Sequence, residues 1–331
     1  MYGAYKYVLN IQMVDIINGY MEVLIMTAEK TVFLFSGQGS QYAGMGVSLV
    51  EAYPELMEIF DEASEILGFD LFDKCKNASD EELGKTIVSQ PAIMAVSLCA
   101  CEALKKNGIN ATAAAGHSLG EYAAMVFSGM LSRKDGFRLI KARSEAMQKA
   151  AENNKGAMYA IIGKSVEEIE AACNAADGYV VPVNYNSSAQ TVIAGEEEAA
   201  KTAADALAAA GARAVKLNVA SAFHSKLMQS AADEFKPAAE GVSFNMPKVT
   251  MMSNITGDVL DSVDDMPERL AKHIVSPVRF TAELAKLSEM GYDTFIECGP
   301  NKVLTGLVKK TLKGVTAVNV QDADSLAKVI G

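Results

Sequence analysis

The sequence predicts an α/β fold: a large α/β domain interrupted by a small inserted βαββαβ unit. Three observations predict it. An apolar strand, Thr31–Phe35, runs into a glycine loop at Gly37-Gln38-Gly39. The pentapeptide Gly116-His117-Ser118-Leu119-Gly120 sits between a small-residue stretch and a helix-forming one. That is the G-x-S-x-G pattern of a strand–turn–helix elbow. From 157 to 217, four short apolar runs and two helical segments follow in the order βαββαβ, the pattern of a split-βαβ, ferredoxin-like unit.

Residues 1–26 are rich in Tyr, Ile and Val, but Lys6 is their only base, and Asp15 and Glu22 interrupt any signal-like apolar core. We expect an upstream extension there, with Met26 immediately before the first strand. Tyr53–Leu67 predicts an amphipathic helix, with Leu56, Ile59, Phe60, Ala63, Ile66 and Leu67 on one face and Gly68 closing it. Pro91 is expected to start a helix apolar nearly all round, running to Gly108. Ser132 caps a helix to about Ala151. In the insert, strands are expected at Ala157–Gly163, Tyr179–Asn184, Gln190–Ala194 and Ala212–Leu217. Helices are expected at Ser165–Ala176 and Glu196–Ala210. Further strands follow at Ile274–Val278, Thr294–Cys298 and Thr316–Val320. The expected organisation is therefore an extension at 1–26, a large domain from 27–153 and 219–331, and an insert at 154–218.

The 331 residues can bury a large core, and half of them are apolar. A net charge of −11 with no basic stripe argues against nucleic-acid binding. Five cysteines without C-x-x-C spacing read as reduced core thiols of a cytoplasmic protein. No apolar run approaches the ~20 residues of a membrane span. Gly37-Gln38-Gly39 lacks the third glycine of a dinucleotide loop, and Gly163-Lys164-Ser165 lacks the upstream glycine of a P-loop. Asn186-Ser187-Ser188 and Asn254-Ile255-Thr256 match glycosylation acceptors but have no secretory route.

The elbow carries the chemistry. It presents Ser118 beside the first N–H groups of the following helix, which favour an oxyanion. Acyl transfer or ester hydrolysis is the implied class; an ordinary Gly-Ser turn is the plain alternative. A serine nucleophile needs a base, and there are three histidines. His117 adjoins the serine, with its side chain expected to point away. His273, in a helix-like stretch, reads as a surface or packing residue. His224, where the chain leaves the insert, borders the expected cleft and is the candidate base. No carboxylate between Ser118 and His224 stands out as a third member, so a backbone carbonyl is expected to orient the imidazole. Arg143 lies on the apolar stripe of its helix with Gly136, Leu139, Ile140, Ala146, Met147 and Ala150. An unpaired buried charge costs several kcal/mol, so the guanidinium needs a core carboxylate or a bound anion. Both readings stand at this point.

Five motifs occur here in one order: Phe35-Ser36-Gly37-Gln38-Gly39-Ser40-Gln41, Gly116 to Tyr122, Ala222-Phe223-His224-Ser225, Ser276-Pro277-Val278 and Gly299-Pro300-Asn301-Lys302-Val303-Leu304. Together they strongly resemble the malonyl-CoA:acyl-carrier-protein transacylases of fatty-acid synthesis, over roughly residues 30–310. The resemblance implies an α/β-hydrolase-like large domain carrying a ferredoxin-like one. It implies Ser118 as nucleophile, His224 as base and Arg143 as the holder of the malonyl carboxylate. The amides of Gln38 and Leu119 match the oxyanion hole, and Ser276 the carbonyl that orients the histidine. Phe223 matches the pattern associated with malonyl over methylmalonyl selectivity. Many relatives have proline where Ser36 stands, which implies a less rigid loop here.

The implied reaction is ping-pong transfer from malonyl-CoA to the phosphopantetheine thiol of acyl carrier protein, with no metal or other cofactor, by a monomer with no membrane or nucleic-acid partner. A polyketide acyltransferase is an alternative within the class. A serine hydrolase or thioesterase would have no use for Arg143, and intact Ser118, His224 and Arg143 argue against a silent interaction subunit. Lys302, Lys309, Lys310 and Lys313 form the densest basic cluster after the site segments; they are a candidate dock for an acidic carrier protein, or simply a solvated helix face.

Overall fold

The computed structural model describes residues 30–219 and 221–331. The expected extension at 1–26 lies outside the described residues. Among the described residues ten strands form two sheets. The larger contains β1 (Thr31–Phe35), β2 (Ala113–Gly116), β7 (Thr250–Ser253), β8 (Asp258–Val259), β9 (Thr294–Cys298) and β10 (Thr316–Val320), in spatial order β10-β9-β1-β2-β7-β8. All neighbours pair in parallel except β7 and β8. Such a sheet is covered on both faces, so β1 reads Thr-Val-Phe-Leu-Phe without a polar face and is buried throughout. Its alternation divides the core. Phe33 and Phe35 pack with the helix Thr86–Lys106 on one side. Val32 and Leu34 pack with Phe280, Leu284 and Leu304 on the other.

From β1 the chain moves to β2 and β7 on one side, and later returns to β9 and β10 on the other. Loops at the carboxyl ends of β1 and β2 flank this reversal, and a crevice opens where strand order reverses. The site lies there.

The second sheet is made of β3 (Ala157–Ile162), β4 (Val180–Ser187), β5 (Gln190–Gly195) and β6 (Arg213–Lys216), ordered β4-β5-β3-β6 and antiparallel throughout. Helices Val166–Ala175 and Glu197–Ala209 cover one face over a core of Ile161, Ile169, Ile193, Ala203 and Leu207. The opposite face, with Met158, Ala160, Val183 and Val192, joins the core of the large sheet. Main-chain bonds seal the junction: Tyr185 N–H to the Val278 carbonyl at 2.9 Å and Val278 N–H to the Val183 carbonyl at 2.8 Å.

Several expectations need correction. The helix expected from Pro91 begins at Thr86 and ends at Lys106. Proline removes one interior hydrogen bond, but this helix is buried along nearly its whole length, and packing outweighs that loss. It is also long and apolar enough to cross a membrane by length and composition, yet 89% of its 18-residue apolar window is buried inside the fold. Ile274–Val278 is not a strand. Leu270, Ala271 and Ile274 are the buried stripe of a helix, Met266–Val275, with Pro267 in its first turn. Only Val278 bridges, to Asn184. Strands β7 and β8 have no counterpart in the sequence pattern, because Thr250–Ser253 is short and carries no alternation. Gly163-Lys164-Ser165 leads into a capping box between Ser165 and Glu168. The loop after β1 is tied down where it was expected to be loose: the buried Ser36 hydroxyl lies 3.2 Å from Glu297 Oε1 and 3.3 Å from the Pro300 carbonyl.

Candidate active site

Two glycines force the elbow. A Cβ on Gly116 would lie 2.1 Å from the Gly120 carbonyl carbon, and one on Gly120 would lie 2.1 Å from the Phe35 carbonyl oxygen. Without them the turn presses against β1, and Ser118 is held at φ 54°, in the left-handed region. The helix Gly120–Phe127 begins immediately behind it. His117 points away, as expected, its Nε2 meeting Asn186 Oδ1 at 2.8 Å and its ring edge-on to Phe280.

His224 comes to the serine across 106 residues of chain, with Nε2 2.7 Å from Ser118 Oγ. Its Nδ1 lies 3.1 Å from two backbone carbonyls, those of His273 and Ser276. Carbonyls only accept, so Nδ1 carries the proton and Nε2 presents its lone pair to the hydroxyl. No carboxylate is needed for that tautomer. Burial, then the charge of Arg143, then His117, hold His224 down to about 3. The imidazole is thus neutral across the physiological range.

Arg143 is fully buried at mid-helix, 0% exposed. Nη2 donates to Ser118 Oγ at 3.0 Å and Nη1 to Gln90 Oε1 at 2.8 Å, while the guanidinium carbon sits 5.5 Å from the Tyr122 ring centre. Among the described residues no carboxylate lies within 4.0 Å of it, and its Nε has no hydrogen-bond partner. Desolvation pulls its proton affinity down, but a guanidinium remains charged at neutral pH. A direct ion pair is therefore absent: the buried Glu121 carboxyl acts on this cation only through space, from beyond contact distance.

Gln90 also donates to Gln38 Oε1 at 3.2 Å, which fixes the side chain of the β1 loop. The Gln38 and Leu119 amides have no acceptor among the described residues and flank the serine. Ser118, His224, Gln38, Phe223 and Met158 line one cavity of about 70 Å³, between the loops that follow β1 and β2 and the small sheet's β3 and β4. A wider groove of about 640 Å³ shares Gln38 and Val219 with it and runs along Thr86 and Gln148. A hydroxyl at the cavity, a lone pair aimed at it, two free amides beside it and a cation donating to it from behind can form and break an ester, and can favour a substrate bearing a negative charge.

All the expected residues thus converge: Ser118, His224, Arg143, Gln38, Leu119, Phe223 and Ser276. His273 needs correction. It is 1% exposed, gives its carbonyl to His224, and sets its ring against Asn254. Asn254 and Asn186, whose sequences match glycosylation acceptors, both belong to the site's surroundings. Asn254 follows β7 and Asn186 lies within β4, and what marks both is burial, which the sequence does not show.

Residues 32–330 match the acyl transferase domain family. A malonyl CoA-acyl carrier protein transacylase of Bacillus subtilis is 38% identical over 305 residues, covering 91% of this chain and 96% of that one. The crystal structure of a malonyl-CoA:acyl carrier protein transacylase from Xanthomonas oryzae is 36% identical, with a TM-score of 0.88 over 92% of this chain and 98% of that one. A malonyl-transacylase solved in complex with its type II polyketide acyl-carrier protein is 38% identical, with a TM-score of 0.87 over 91% and 99%.

Proposed function

This chain belongs to the acyl transferase domain family, among its malonyl-CoA:acyl carrier protein transacylases; from that premise we propose that it moves a malonyl group from CoA to a carrier-protein thiol through Ser118. The transfer supplies malonyl units for fatty-acid synthesis. One observation carries the reading: a fully buried guanidinium with no carboxylate partner donates to the hydroxyl of the elbow serine. A substrate that brings its own carboxylate completes that pair; a neutral acyl group does not.

His224 Nε2 takes the proton as Ser118 Oγ bonds to the thioester carbon. The Gln38 and Leu119 amides hold the resulting oxyanion. The intermediate collapses, the C–S bond breaks, and the CoA sulfur leaves with the proton returned from His224. The malonyl-serine ester then meets the phosphopantetheine thiol. His224 takes the thiol proton, the new C–S bond forms, and Ser118 leaves with the proton. Every atom and proton is accounted for without a metal or redox cofactor. A bound malonyl carboxylate also offsets the Arg143 charge that disfavours the imidazolium, so the correct substrate strengthens the base. The wider groove is the approach for the pantetheine arm. A hydrolase would leave the Arg143 charge without a use.

We read the large sheet and its helices as α/β-hydrolase-like and residues 154–218 as a ferredoxin-like insert. The order β4-β5-β3-β6 with both helices on one face supports the second assignment. Five free, buried thiols fit a reducing cytoplasm.

Intact-mass spectrometry after incubation with malonyl-CoA should show one malonyl adduct, absent in Ser118→Ala; an adduct elsewhere overturns the assignment. Arg143→Ala should lose about 2–5 kcal/mol of malonyl transition-state stabilisation, roughly 30- to several-thousand-fold in kcat/KM. Acetyl-CoA transfer should be unchanged or faster. A stable variant that keeps the wild-type donor preference removes Arg143 from the site.

A further inference from the structure

Beneath the elbow lies a buried amide that the reaction above does not use. Asn254 follows β7 and is 0% exposed. Its Oδ1 accepts the Ser118 N–H at 2.7 Å. Its Nδ2 donates to the Gly116 carbonyl at 2.6 Å and to Glu283 Oε1 at 2.7 Å, and its own N–H donates to Glu121 Oε2 at 3.2 Å. A backbone donor on one side and a backbone acceptor on the other allow the amide a single orientation. Oδ1 can then only accept from His273 Nε2, 3.1 Å away. That places the His273 proton on Nε2 and leaves Nδ1 bare, and Nδ1 has no partner among the described residues. The main chain of the same His273 offers its carbonyl to His224 Nδ1 at 3.1 Å.

We infer that Asn254 and His273 are a positioning unit that locks the nucleophile and the base to one another: Asn254 holds the Ser118 amide, His273 holds the His224 ring, and one hydrogen bond joins the two. The inference rests on the roles proposed above for Ser118 and His224. Both of those residues need such support. Ser118 sits at φ 54° and His224 at φ 60°, conformations that persist only where the surroundings over-determine them. Neither Asn254 nor His273 lines the cavity that holds the reacting groups, so neither contacts the acyl group. The unit acts by geometry: burial keeps His273 neutral and pushes the Glu283 carboxyl well up, while Glu121, its carboxyl pushed up to about 7 by burial, sets Oε2 3.7 Å from His273 Nε2.

The test is single-turnover acylation of the full chain by malonyl-CoA, quenched and read by intact mass, with melting temperature measured alongside. His273→Ala keeps the backbone carbonyl but removes the N–H that Asn254 receives; His273→Gln restores a donor at similar reach. His273→Ala should slow acylation about 10- to 100-fold, the scale of an ångström-level misplacement, at unchanged half-saturating malonyl-CoA. His273→Gln should recover most of the rate. Asn254→Ala should fall comparably, and the double variant no further than the worse single, because one unit is lost only once. If Asn254→Ala does not fold, the two His273 variants decide. Wild-type rates in both, equal losses in both, losses confined to half-saturation, or multiplicative losses in a folded double variant overturn the inference. A wild-type chain that takes no malonyl label overturns the role of Ser118 instead.

Discussion

His224 departs furthest from the behaviour of its residue type. An ordinary histidine loses half its basic form near pH 6.5. Here burial and the adjacent Arg143 charge hold it at about 3. The sign follows directly: a lowered value keeps the lone pair available as pH falls, so the proposed base stays competent in mild acid. The acid limb of kcat/KM for malonyl-CoA, which reports the free enzyme, should therefore lie below pH 5. The kcat limb should lie higher, since the bound carboxylate offsets the Arg143 charge. A kcat/KM midpoint near 6.5 in a still-folded protein would show that the imidazole is not desolvated as described.

At the scale of elements, the elbow is a matter of contact distances. Gly120 brings the helix Gly120–Phe127 against β1, where a Cβ would stand 2.1 Å from the Phe35 carbonyl. That neighbour is backbone and has no rotamer to move. Gly120→Ala should cost the ~1–3 kcal/mol of overpacking and lower acylation by about 10²-fold or more, because the serine moves with the turn. Gly68→Ala is the control. Gly68 closes the helix Met57–Leu67 at φ 83° with open space around its missing Cβ. It should lower the melting temperature through backbone strain and leave acylation alone. Equal acylation losses in the two variants would mean that the elbow is no more constrained than a helix end.

Across the whole molecule, charge decides how a partner arrives. The net charge of −11 repels an acidic carrier protein, so docking needs a local basic face. Lys302, Lys309, Lys310 and Lys313 are exposed, and none of them is in an ion pair among the described residues. The loop before them reaches the site, since Asn301 Nδ2 donates to the Ser40 carbonyl beside the Gln38 loop at 2.9 Å. Lys309 and Lys310 also end their helix, where cations suit its dipole. Reversing both to Glu separates the two roles. A docking face predicts a several-fold rise in KM for carrier protein with CoA-side loading unchanged. A helix-end role predicts a lower melting temperature and no KM effect.

The sequence by itself determined whatever depends on neighbours in the chain. The elbow is legible because its two glycines and serine lie within five residues. The βαββαβ order is legible because alternation and capping are local, as at Ser165 and Glu168. Resemblance across five motifs supplied the roles that spacing could not. Tertiary structure alone decided which buried groups have partners. Arg143 read equally well as half of an ion pair until the fold left it without a carboxylate in contact. His273 read as a surface or packing residue until its carbonyl met a ring 49 residues away. Asn254 read as a glycosylation match without a secretory route until it met the Ser118 amide across 136 residues. Hydrogen bonds and desolvation depend on distance in space, and a helix written as Leu-Ala-Lys-His-Ile shows the same period whatever its buried face touches.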